Sequence, residues 1–192
     1  MEKATATNSL KKTRSNRRSI YRTLLRYIWW IKVDFTYPAN KKFECNRCGL
    51  CCGNTKQKTR HILLLETEAK NIAAHSSSLI LDFSTEIKDK LPYIYEMKKT
   101  SEGKCVYLKE NQCSIYPLRP LICRFYPFEL KFDKDKGLYN FDFTLECSGI
   151  NQGKDLNKKD FKKLFALAQE SLGWLYHYSC WRTSVCSKVM PQ

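Results

Sequence analysis

Phe43-Glu44-Cys45-Asn46-Arg47-Cys48-Gly49-Leu50-Cys51-Cys52-Gly53 is the stretch on which the reading of this chain turns. Cys45, Cys48 and Cys51 follow C-x2-C-x2-C, a spacing with which one turn-rich loop aims three sulfurs at a single centre. A metal pulls such a backbone into tight turns, and Gly49 and Gly53 supply the freedom for them. Iron-sulfur ferredoxins use this triplet with a distant fourth cysteine, whereas zinc knuckles use one C-x2-C and take the other pair from elsewhere. Cys45 to Gly49 alone matches a zinc knuckle, but no second C-x2-C follows, which weighs against a zinc ribbon. Cys52 is expected to leave the backbone in a different direction from Cys51 and to serve a second centre.

Downstream, Cys105, Cys113, Cys123 and Cys147 bring the set to eight. Eight thiols suffice for two four-thiolate sites, or for one site with structural or redox cysteines left over, and the spacing does not apportion them. Each of the downstream four also has a plain reading as a buried thiol. Thiolates around a cation or cluster leave net negative charge, and Arg119 and Arg124, flanking Cys123, suit the role of offsetting it; bonding to turn carbonyls is their alternative. His61, His75 and His177 have no ligand spacing to a cysteine, and Cys180 and Cys186 read as core thiols of a C-terminal tail.

Ten cysteines in 192 residues, without a cleavable apolar leader at the start, point to a reducing, cytoplasmic setting in which thiols serve metal or redox chemistry. The even count leaves a disulfide framework open. The adjacent pair Cys51 and Cys52 weighs against it, since a cross-link between neighbours closes almost no loop.

Around this centre the chain has the make-up of one folded domain with extensions: 43% hydrophobic residues, 13% aromatic, and only 7 glycines and 6 prolines. The net charge of +15 is uneven, since residues 1–33 carry nine Lys or Arg against the single acid Glu2. Ile20, Leu24, Tyr27, Ile28 and Ile31 recur at helical spacing with Arg18, Arg22 and Arg26 on another side, which predicts a basic amphipathic helix. Its charges rule it out as a transmembrane span. It either docks on the domain or meets an anionic partner: nucleic acid, an acidic protein or a membrane surface. The expected organisation is a basic arm and helix over 1–37, a cysteine-cluster domain over 38–154 and a C-terminal helix and tail over 155–192.

Within the domain, His61 to Leu65 reads as a strand, Thr67 as the cap of a helix to about His75, and Thr85 to Leu91 as a second short helix ending before Pro92. Cys105 to Leu108 and Cys113 to Tyr116 flank a polar turn and predict a small hairpin that brings two cysteines together. Phe128 to Phe132 and Leu138 to Phe143 predict a second hairpin, and Phe161, Leu164, Phe165, Ala168, Leu172 and Leu175 mark the core face of a helix from about Lys158 to Tyr176. The fold class expected is α+β: a small irregular cysteine-rich domain with short hairpins and packed helices.

The run Phe43 to Cys52 resembles the opening motif of the YkgJ-type cysteine-cluster family, a zinc- or iron-chelating domain. Three further stretches agree: Cys105 to Leu108; Cys113-Ser114-Ile115-Tyr116 through Arg119-Pro120 to Cys123-Arg124-Phe125-Tyr126-Pro127-Phe128; and Cys147-Ser148-Gly149. The resemblance spans about residues 43–153 and departs at Ser148, where a proline is expected. It implies chelation of zinc or iron, and the triplet spacing puts an iron-sulfur cluster ahead of zinc. Family relatives that resemble flagellin lysine methylases add an enzyme reading, but no glycine-rich methyl-donor loop follows a strand here. A nucleic-acid-binding metalloprotein that uses residues 11–32 is the third reading.

Overall fold

A computed structural model describes residues 34–56 and 58–172. The chain divides into two compact units, Met1–Asp34 and Phe35–Gln192, and of the first only Asp34 falls among the described residues. The expected basic helix lies outside them, as do His177, Cys180 and Cys186.

The longest elements form one layered half of the second unit. β8 (Phe128–Asp133) and β9 (Leu138–Phe143) pair antiparallel with Phe128 opposite Phe143, as their alternating pattern predicts. β1 (Phe35–Thr36) adds to β9 in parallel, with Phe35 opposite Tyr139. Helix α4 (Lys158–Leu172) covers this sheet, burying Phe161, Phe165, Ala168 and Leu172, residues spaced to fall on one helical stripe. Its start is fixed reciprocally: Asn157 Oδ1 accepts from Lys159 N at 2.9 Å, and Asp160 Oδ2 from Asn157 N at 3.2 Å. Between sheet and helix the Phe161 ring lies 5.0 Å from that of Phe141 and 5.2 Å from those of Phe128 and Tyr37.

The other half is built from shorter pieces. β3 (Leu63–Leu64), β4 (Ser84–Glu86) and β5 (Tyr95–Met97) form an antiparallel sheet in the order β3-β5-β4. Helix α1 (Glu66–Ser76) follows β3, and α2 (Ile80–Phe83) precedes β4. The expected helix over Thr85 to Leu91 is not formed: Thr85 and Glu86 are in β4, opposite Glu96 and Tyr95. The β-branched Thr85 follows a turn of helix that already ends at Phe83, so cross-strand pairing takes precedence over the weak helical pattern. The start of α1 also differs from expectation, because Glu68 rather than Thr67 closes it: Glu68 Oε2 accepts from Leu65 N at 2.9 Å.

β6 (Leu108–Lys109) and β7 (Gln112–Cys113) make the expected small hairpin; Glu110 and Asn111 at its tip both have positive φ, the geometry that matches strand twist in a two-residue turn. After a 3-10 turn at Tyr116–Leu118 comes α3 (Leu121–Phe125). β2 (Lys42–Phe43) pairs with β10 (Lys154–Asp155) and brackets the cysteine run. The core of this half is Ile62, Leu64, Ile72, Phe83, Met97, Cys105 and Ile115, with Cys52, Cys113 and Cys123 packed against it. The architecture is α+β, as expected. Among the described residues no helix is long and apolar enough to cross a membrane.

Candidate metal centre

The cysteine run forms a knuckle. Arg47 and Gly49 take left-handed backbone conformations with φ of 55° and 73°, and a 3-10 turn over Leu50–Cys52 follows, closed by Cys52 N donating to Gly49 O at 2.9 Å. A Cβ on Gly49 would stand 3.3 Å from Asn111 Oδ1 and 3.5 Å from Leu108 Cδ2, so the knuckle seats directly on the β6-β7 hairpin.

That turn changes the expected relation of Cys51 and Cys52. Their Sγ atoms lie 3.7 Å apart instead of diverging. In a strand neighbouring side chains point to opposite faces, but at three residues per turn they are rotated by only about 120°, which leaves the two sulfurs room to approach.

The backbone sews the downstream cysteines to the knuckle from two sides. Cys105 N donates to Cys52 O at 2.6 Å and Asn54 N to Gly103 O at 3.0 Å, so residues 52–54 run beside 103–105. Cys113 lies opposite Leu108 in the hairpin. Cys123 sits in the first turn of α3, its N bonded to Pro120 O at 2.9 Å. From the other side, Glu44 N donates to Gly149 O at 3.2 Å, and Asn46 Nδ2 donates to Ser148 Oγ at 2.7 Å. Proline at 148 has no hydroxyl, so this chain's departure from the motif supplies a tie of its own. Gly149 has no substitute: a Cβ there would fall 2.1 Å from Glu44 O.

All eight described cysteines are free thiols. Cys45 and Cys48 are exposed, Cys51, Cys52, Cys113 and Cys123 partly buried, Cys105 and Cys147 buried. Contact with Cys52 and then burial push the Cys51 thiol far up, against a smaller downward pull from Arg119. Burial pushes Cys123 well up, and Cys105, Cys51 and Cys113 add to it. Cys105 and Cys113 are raised by burial too, and each feels Cys51. Cys147 is raised by burial and by Cys48 and Cys51. Cys51 thus bears on Cys52, Cys105, Cys113, Cys123 and Cys147, and Cys48 on Cys147. Among the described residues no three His, Cys, Asp or Glu side chains already close around one point at ligand distance.

Arg119 fulfils part of its expected role. Its charge favours the thiolates of Cys51 and Cys113, while its guanidinium stacks 3.6 Å from the Tyr116 ring centroid. Arg124 takes the alternative role, donating to Arg119 O at 2.6 Å and Pro117 O at 3.4 Å. His61 Nδ1 is 2.7 Å from Glu96 Oε1 and turned to that carboxylate. His75 is exposed on α1.

Two residues that the sequence reading missed hold the site's frame. Arg60 is buried, with 4% of its surface exposed; it pairs with Glu146, the neighbour of Cys147, and lies 4.9 Å over the Tyr126 ring. Its Nε is a buried donor without a hydrogen-bond partner. Glu68 Oε1 accepts from Leu121 N at 2.6 Å while Oε2 holds Leu65 N, so one carboxylate ties α1 to the start of the helix that carries Cys123. Burial raises Glu68 and these two amides lower it. Neither residue carries a spacing signal; Glu68 had one faint cue, lying three residues after the start of an apolar run's helix.

The donor chemistry fits a metal. Thiolates select zinc, copper(I) and iron-sulfur clusters over harder cations, and eight thiols lie here on segments that main-chain bonds tie together. Fold and site together define a small α+β cysteine-cluster protein. The chain belongs to the CxxCxxCC family, whose model, described as a "Putative zinc- or iron-chelating domain", matches residues 44–164. It is also similar to MJ0661, an uncharacterized protein of Methanocaldococcus jannaschii, at 29% identity over 152 residues, covering 75% of this chain and 77% of the relative. No solved structure matches. Family membership supports metal binding.

Proposed function

We propose that this protein binds an iron-sulfur cluster, with zinc as the competing occupant, through Cys45, Cys48 and Cys51 together with Cys52, Cys105, Cys113, Cys123 and Cys147. The observation that carries the reading is the C-x2-C-x2-C triplet on a tight left-handed turn with five further thiols gathered around it. The triplet favours a cluster over zinc. The turn offers three sulfurs from one loop, and the downstream segments offer the rest at no further cost in loop closure, because main-chain bonds already hold them. Arg119 favours the ionised sulfurs that ligation requires. A bound cluster supplies one-electron chemistry, whereas zinc supplies a cross-link.

Anaerobic expression and purification, followed by iron, sulfide and zinc analysis and visible absorption, test this. The expected protein is brown, contains iron and acid-labile sulfide in like amounts and bleaches on reduction. A colourless protein that holds only zinc under those conditions removes the cluster and leaves the metal site. Metal-free protein with all eight thiols freely reactive removes both.

A further inference from the structure

By their backbone ties the eight thiols divide into two sets that meet at the Cys51-Cys52 step, where Cys51 also bears on Cys105, Cys113 and Cys123. One set contains the two exposed thiols, Cys45 and Cys48, together with the buried Cys147. Cys45 and Cys48 belong to the loop itself, and the loop that carries Cys147 is laced to it by Glu44 N to Gly149 O, by Asn46 to Ser148 and by the bridge between Phe43 and Ile150. Gly149 makes this approach possible, since any side chain there collides with Glu44. The other set faces inward. Cys105 is bonded through its backbone to Cys52, Cys113 follows on the hairpin that turns back from Cys105, and Cys52, Cys105, Cys113 and Cys123 all pack in the cluster of Ile62, Leu64, Ile72 and Ile115.

We propose that these are two separate four-thiolate metal sites held side by side: Cys45, Cys48, Cys51 and Cys147 form an outer site, and Cys52, Cys105, Cys113 and Cys123 an inner one. This rests on the metal-binding reading above and goes beyond it in number and ligand division. The 3-10 turn provides the division, because adjacent residues rotated by about 120° present their sulfurs to neighbouring directions while staying close. Their 3.7 Å separation keeps the two centres adjacent. Each site that takes one dication exchanges four thiol protons for it and carries two net negative charges, which gives Arg119 a reason to lie beside Cys51 and Cys113. The inner site has apolar walls and the outer site opens to solvent, so the outer one exchanges its metal faster.

Zinc(II) titration of the reduced full-length protein under anaerobic conditions, with a chromogenic chelator as competitor, counts the sites. Two equivalents per chain are expected, and cadmium-113 loading should give two resonances, both in the all-thiolate range. The Cys45→Ser/Cys48→Ser variant should keep one equivalent, and so should Cys113→Ser, with the opposite cadmium resonance lost in each. Saturation of the wild-type protein at one equivalent overturns the proposal, whether or not the variants fold. A single-site variant that stays folded but binds nothing overturns it also, since that is the behaviour of one shared centre. Cys51→Ser binding nothing while Cys52→Ser keeps both metals would mean a bridging Cys51 and would equally overturn the division. No uptake by the wild-type protein defeats the metal-binding reading itself and is distinguishable from all of these.

Discussion

The aromatic half and the cysteine half of this domain are held together in different ways. β8 and β9 run for six residues each, α4 for fifteen, and rings interlock between them. Such an interface is stabilised by area removed from water, on the order of 1.5–3 kcal/mol for a buried Phe. The cysteine half has strands of two or three residues, the eleven-residue α1, a five-residue helix that carries Cys123, and loops at positive φ. Its ladders are too short to stand alone, and its polar framework is a handful of specific bonds from Glu68, Arg60 and the Gly149 loop. Small regions of this kind are often stapled by a metal, and binding free energy then becomes folding free energy. The first half is a platform; the second brings the cysteine segments together by short main-chain ties.

Removing the ring at the centre of the platform is the strongest test of the contrast. Phe161→Ala should cost about 3–5 kcal/mol in denaturant unfolding, from lost burial and the cavity left behind, while metal stoichiometry at low denaturant stays as in the wild type. If metal uptake falls with it, the two halves are not separable in this way. Gly149→Ala acts on the other half. The 2.1 Å approach to Glu44 O forces the loop aside at a cost of about 1–3 kcal/mol, and zinc affinity should drop because Cys147 is displaced, with the β8-β9 amides keeping their hydrogen-exchange protection. Equal loss of protection in both halves would erase the distinction. The smallest effect is expected at the exposed β8-β9 turn, where Lys136 lies 3.4 Å from Asp133. Lys136→Met should change stability by no more than about 1 kcal/mol and leave metal binding unaltered, as measured by thermal unfolding and chelator competition.

The two halves also differed in how far they were legible. The β8-β9 hairpin and the face of α4 were readable because their periods, two and 3.6, run long enough to stand above noise. Thr85 to Leu91 was misread as helix because three residues of edge pairing leave too little pattern to outweigh a proline stop. The β6-β7 hairpin was legible from a polar turn between two cysteines. The roles of Arg60 and Glu68 in the frame were not legible, since a buried ion pair and a carboxylate bridging two helix starts join residues 86 and 53 positions apart.

By itself the sequence determined that Cys45, Cys48 and Cys51 share a loop, because their separation of three residues leaves a turning chain little choice. Through its motifs it also determined the family. Only the tertiary structure decided which segments meet. Gly149 had to reach Glu44 to carry Cys147 beside the knuckle, Cys105 had to pair with Cys52, and a 3-10 turn had to bring the sulfurs of Cys51 and Cys52 to 3.7 Å. The reason is physical: spacing along the chain limits local turns, whereas approach between distant segments depends on backbone bonds and on one missing Cβ, neither of which repeats with any period in the sequence.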